Sequence, residues 1–150
     1  MTSILVLNGP NLNTLGIRTP DVYGHDTLAD VEALCRRVAA ENGVEVDCRQ
    51  TNHEGEMLEW IQAARGRVDA IVINAGAWTH TSVALRDALV IPEVPIFEVH
   101  ISNVHAREEF RHNSFISPIA SGVIVGCGVA GYGYAVQQAA RVVGASRNGS

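Results

Sequence analysis

The sequence predicts an α/β fold, a doubly wound parallel sheet of five strands between helix layers, and three observations carry that reading. Five short runs rich in β-branched residues alternate with helix-like segments, several of the runs are apolar without interruption, and polar residues or glycines come after most of them. Continuously apolar strands suit a parallel sheet covered on both faces, because neither face meets water. Strand–helix alternation then implies right-handed crossovers and a three-layer α/β/α arrangement. For five strands the natural order is flavodoxin-like, 2-1-3-4-5.

The strands are expected over Ile4–Leu7, Val44–Cys48, Ala70–Ile73, Pro95–Val99 and Gly122–Val125. Thr27 caps the first helix with Asp30 three residues on; Val31, Leu34, Cys35 and Val38 come next at helical spacing, and Gly43 stops it. Further helices are expected over Glu54–Arg65, Thr81–Val90 and Gly133–Val143, with a short turn over Val104–Phe110 and a loose polar tail over 145–150. At 150 residues the chain reads as one domain, 1–150, with room for one core.

Composition removes several function classes. The net charge of −5 argues against a nucleic-acid partner, which needs a basic surface. All 11 basic residues are arginine. Without lysine there is no Walker A phosphate loop, no Schiff-base amine and no lysine base, whereas arginine suits carboxylates and other planar oxyanions. Cys35, Cys48 and Cys127 form no C-x-x-C pair, which fits a reducing cytoplasm rather than a disulfide framework. The apolar run at Ile4 is too short for a signal peptide, and the uncharged stretch 113–140 is broken by glycines, Pro118 and Gln137, so no membrane span is expected. No His, Cys, Asp and Glu cluster has metal-ligand spacing, so no metal is expected.

In such folds ligands lie beyond the carboxyl ends of the strands. Asn8 and Asn11 succeed the first strand, Asn74 the third, His100-Ile101-Ser102 the fourth and Gly126-Cys127-Gly128 the fifth. Between the first strand and first helix run about 18 residues, where about 2 to 6 are usual; loops this long often act as lids. Arg18 and Tyr23 stand on it. A tyrosine is a poor base near neutral pH unless a cation beside it favours the phenolate, which Arg18 can do. His100 shares a strand face with Glu98, and a carboxylate there would favour the imidazolium and poise it as a general acid. A Tyr23 that merely anchors the loop, or a His100 satisfied by backbone, would look the same in the sequence. Gly126-Cys127-Gly128-Val129-Ala130-Gly131 matches G-x-G-x-x-G, but no acidic residue occurs after Glu109 to hold a ribose, so these glycines read as close strand–helix packing.

Four motifs in order, spanning nearly the whole chain, resemble type II 3-dehydroquinate dehydratase. They are Asn8-Gly9-Pro10-Asn11-Leu12-Asn13 with Arg18, Pro20 and Tyr23-Gly24; Gln50 to Glu56; Ile73 to Ser82, continuing into Ala84 to Ala88; and Glu98 to Asn103 with Arg107 to Arg111. The resemblance implies a cofactor-free lyase of the shikimate pathway, converting 3-dehydroquinate to 3-dehydroshikimate and water. It implies Tyr23 as the base at C2, Arg18 keeping Tyr23 ionised, Asn11 stabilising the enolate through a water, and His100 protonating the C1 hydroxyl. Asn74, Ile101 and Ser102 would hold the carboxylate; His80, Arg111 and Asp87 would hold the ring hydroxyls, with Glu98, Arg107, Gly76 and Ala77 in support. It further implies trimers assembling to a dodecamer, with Asp87 reaching in from a neighbouring subunit. The absent lysine agrees, because the other dehydroquinase class works through a lysine imine. Trp78, Ala75, Thr14 and Asn113 depart from the family's usual residues, which leaves loop stiffness open. The rival reading is a flavodoxin-like flavin or nucleotide carrier at the same rim, which a colourless protein would count against; a phospho-acceptor receiver would need an Asp where Asn74 stands, and a lysine.

Overall fold

The computed structural model describes residues 1–149. Strands β1 (Ser3–Asn8), β2 (Glu45–Gln50), β3 (Ala70–Asn74), β4 (Ile96–His100) and β5 (Gly122–Val125) form one parallel sheet in the order β2-β1-β3-β4-β5. The expected α/β class and strand order are therefore both observed. Helices α2 (Leu28–Glu41) and α5 (Ala130–Gly149) cover one face, and α3 (Glu54–Ala63) and α4 (Val83–Leu89) the other. The two-residue strand period sends successive side chains to opposite faces: Ile4, Val6, Val72, Phe97 and Val99 join the α2/α5 core, while Leu5, Leu7, Ile71, Ile73 and Ile96 join the α3/α4 core.

Local chemistry sets the boundaries. Thr27 and Asp30 form a reciprocal capping box on α2, Thr27 N–H donating to the Asp30 carboxylate at 2.9 Å and Asp30 N–H to the Thr27 hydroxyl at 3.3 Å. Ser82 caps α4 by accepting from Leu85 N–H at 2.9 Å, so that helix begins two residues later than the sequence pattern alone implies.

Two expectations need correction. The long first loop is partly structured: a 3₁₀ turn at Leu12–Thr14 and a short helix α1 (Pro20–Tyr23) lie within it, Pro20 occupying the first helical position, where its missing N–H has no intrahelical partner to lose. The loose tail expected from 145 is instead helical through Gly149, with Ser150 outside the described residues. Once packed residues such as Tyr132, Val136 and Val143 have nucleated α5, each further turn costs only propagation. Among the described residues, no helix is long and apolar enough to cross a membrane.

Register places the site. Asn8 lies level with Gln50 on one side and Asn74 on the other, a row of amides at the carboxyl end of the sheet. The first loop is clamped to the third across that row: Gly9 N–H donates to the Asn74 carbonyl at 2.8 Å, and a Cβ at Gly9 would lie 2.5 Å from the Ala75 carbonyl oxygen. No side chain fits there.

Candidate active site

A polar cavity opens at this carboxyl rim, lined by Pro10, Asn11, Leu12, Arg18, Tyr23, Asn74, Gly76, Ala77, His80, His100, Ile101, Ser102, Val104, Arg107 and Arg111. Every residue given a catalytic, binding or supporting role from the sequence lines it except Glu98 and Asp87. Glu98 stands directly behind His100, whereas Asp87 is exposed on α4, paired with Arg86 at 3.0 Å. Within one subunit Asp87 takes no part in the cavity.

The floor comes from β4. His100 Nε2 donates to Glu98 Oε2, which also accepts from Ser114 Oγ at 2.8 Å, while Ser117 Oγ donates to Oε1 at 2.5 Å. Burial pushes the Glu98 carboxyl upward, but the bonds from His100 and Ser117, the imidazole charge and the bond from Ser114 together outweigh it, and the group sits below the ordinary carboxylate value. A 1%-exposed carboxylate inside the α3/α4 side of the sheet is tolerable only because it is bonded in this way. His80 lies parallel to His100 with ring centroids 6.3 Å apart, and its Nδ1 donates to the Asn113 carbonyl at 2.8 Å. Burial lowers the His80 pKa, the Asn113 bond opposes, and the charges of His100 and Arg111 add to the lowering. With Nδ1 carrying the proton, neutral His80 keeps Nε2 as an acceptor.

The opposite wall is the first loop, where two arginines meet Tyr23. Arg18 does not bond the Tyr23 hydroxyl; its guanidinium carbon lies over the ring, 5.0 Å from the centroid. Arg107 is the residue that reaches the phenol, donating from Nη1 to Tyr23 Oη at 2.8 Å and to Ser102 Oγ at 3.2 Å. The 3₁₀ turn Val104–Ala106 projects Arg107 back across the cavity, and His112 bonds its carbonyl at 3.1 Å. Sequence offset could not have ranked the two arginines, since both fall in loops whose paths depend on tertiary packing.

Asn11 adopts a left-handed conformation, φ 69°, with its N–H donating to Asn52 Oδ1 at 2.9 Å and its carbonyl accepting from Thr14 Oγ1 at 2.6 Å. Gln50 Nε2 donates to the Gly9 carbonyl at 3.1 Å, so the Gln50–Asn52 segment props up the first loop. Thr14 thus ties down Asn11, and Asn113 contributes to His80 only a backbone carbonyl, which any residue there supplies. Ala75 is buried against Gly9, and Trp78 packs on the α3/α4 core.

Three further residues escaped sequence reasoning: Ser114 and Ser117 behind Glu98, and Tyr132, which joins Asn8 to Asn74. Their spacing carries no motif; the available signal was polar residues in an otherwise uncharged apolar stretch. The Gly126–Gly131 run packs strand against helix. Gly126 and Gly128 donate their N–H groups to the carbonyls of His100 and Ile101, and a Cβ at Gly131 would meet Ile124 at 3.2 Å, so these glycines join β5, β4 and α5 closely.

Fold and rim together define an α/β enzyme that sets a phenol under two guanidiniums against a carboxylate-backed imidazole across one cavity. The model of the dehydroquinase class II family matches residues 2–140, and the chain belongs to that family. It is 61% identical over 140 residues to the 3-dehydroquinate dehydratase 2 of Pseudomonas putida, covering 93% of this chain and 94% of that one. It is 59% identical over 135 residues to the catabolic 3-dehydroquinase of Penicillium rubens, covering 90% and 87%. The solved type II dehydroquinase of Propionibacterium acnes superposes with a TM-score of 0.90 at 46% identity, over 94% of this chain and 97% of that one.

Proposed function

We propose that this protein dehydrates 3-dehydroquinate to 3-dehydroshikimate and water, as a single-domain cytoplasmic enzyme. The observation that carries this reading is the meeting of Tyr23, its hydroxyl bonded by Arg107, with His100, its ring bonded by Glu98, in one cavity. Tyr23, as phenolate, removes the C2 proton beside the C3 ketone, and the electron pair passes into an enolate. Arg107 at the hydroxyl and Arg18 over the ring favour the phenolate. Asn11, through a water, stabilises the enolate oxygen, an electrostatic contribution. His100 then protonates the C1 hydroxyl, which leaves as water while the enolate collapses to the conjugated enone.

Asn74, Ile101 and Ser102 hold the substrate carboxylate, with Gly76 and Ala77 shaping the wall. His80 and Arg111 hold the ring hydroxyls. Asp87 joins them from a neighbouring subunit in a trimer, four of which make a dodecamer; its exposure and its place outside this chain's own cavity support that assignment. Addition of 3-dehydroquinate should produce the ultraviolet absorbance of the enone, and a flat trace at enzyme concentrations that bind substrate would overturn the reading.

A further inference from the structure

Tyr132 is buried in α5, 0% exposed, and lines no part of the cavity. Its hydroxyl donates to Asn8 Oδ1 at 2.6 Å and accepts from Asn74 Nδ2 at 2.9 Å. Asn74 Oδ1 meanwhile accepts from Gly76 N–H at 3.1 Å. A phenol has one proton to give, so donating it to Asn8 obliges its oxygen to face Asn74 as an acceptor. Burial pushes the Tyr132 phenol well above its ordinary value, against the bond from Asn74, so the proton stays on the oxygen throughout the working pH range.

We infer that Tyr132, with Asn8 behind it, is a positioning residue that sets the polarity of Asn74. Together with the Gly76 N–H, which can only donate to Oδ1, the relay turns the Asn74 amide so that its NH₂ group is the end aimed away from Gly76, with one N–H spent on Tyr132 and the second left for an anion in the cavity. Were the amide reversed, its carbonyl oxygen would meet a carboxylate and repel it. The inference rests on the proposed carboxylate-binding role of Asn74 and deepens it, because it says which atom does the binding and what enforces it. An amide flip otherwise costs little in packing, since the two ends are nearly isosteric. Only hydrogen-bond polarity distinguishes them.

The test compares Tyr132→Phe and Asn8→Leu with the parent. Both variants remove one end of the relay and neither position touches the cavity. Turnover of 3-dehydroquinate by the parent checks the functional reading separately. Calorimetric binding of 3-dehydroshikimate and of its methyl ester then checks the relay. A hydrogen bond to a charged group, partly lost, corresponds to about a 5- to 30-fold weaker affinity for the carboxylate ligand. The expected result is that loss, a matching rise in KM with kcat within about threefold, and a much smaller change for the ester. Asn8→Leu should reproduce it, because a phenol relieved of its acceptor is free to donate toward Asn74. Equal weakening of acid and ester, or unchanged affinity for both, would overturn the assignment. If Tyr132→Phe does not fold, Asn8→Leu alone decides.

Discussion

The two halves of the proposed acid–base pair are built by opposite physics. His100 sits on a central strand, 6% exposed, its ring bonded to Glu98, which is held in turn by two serines. Tyr23 rides on a four-residue helix entered through Thr19 and preceded by Asn11, two of the three non-glycine residues with positive φ among the described residues. Left-handed backbone at such residues costs on the order of 1–3 kcal/mol and persists where the surroundings enforce it. Asn52 and Thr14 hold Asn11, and Leu12, Leu15 and Tyr23 of the same loop pack on the α2/α5 core. His100 is thus fixed by side-chain bonds on a central strand, whereas Tyr23 is carried by a connecting loop whose path depends on contacts with segments distant in sequence.

Tyr23→Phe breaks the comparison most severely. Removing the proposed base should cut turnover by about 10⁴, the top of the usual range for a general base, while 3-dehydroshikimate still binds, measured by progress curves and calorimetry. Near-normal turnover would remove Tyr23 from the chemistry. His100→Ala should cost about 10² to 10⁴ in kcat, the usual worth of a general acid, and the lost rate should be insensitive to lid substitutions.

A sharper contrast separates the arginines. Arg107→Ala should lower kcat/KM by about 10- to 100-fold, because the charge-assisted hydrogen bond to the Tyr23 hydroxyl is lost. Arg18→Ala should lower it less, having only a contact with the ring to lose. Equal losses would refute the ranking that the geometry assigns.

The smallest effect is on stability. Because the Glu98 carboxyl lies below its ordinary value of 4.5 in the folded protein, its contribution is fully present above that value and disappears as pH falls through the lower folded value. Glu98→Gln should therefore be less stable at pH 7 by about 1–3 kcal/mol, and its melting temperature should fall less steeply than the parent's on acidification below about pH 5. Parallel melting curves across that range would show that the carboxylate's bonds add nothing to the floor.

Much of this was readable in the chain itself. The β4 pair came from a two-residue period, the α2 cap from Thr27 and Asp30, and the rim from the polar residues just beyond each strand. Arg107 as the partner of the Tyr23 hydroxyl, 84 residues away, was not readable. Neither were Ser114 and Ser117 behind Glu98, or Tyr132, which meets Asn8 across 124 residues. Each of these contacts is chosen by where loops cross after the sheet has formed, and no spacing rule reaches that far.

Periodic burial and capping act over a few residues, so the amino-acid order was enough to set the five strands and most of the helix starts, while Tyr23 and His100 stood out as candidate base and acid through the motifs that resemble the dehydroquinase family. Which guanidinium meets the phenol, which way Asn74 faces, and the exclusion of Asp87 from its own subunit's cavity were settled by the folded chain. Hydrogen-bond partners are selected by distance and direction in space, and both exist only once the layers have packed.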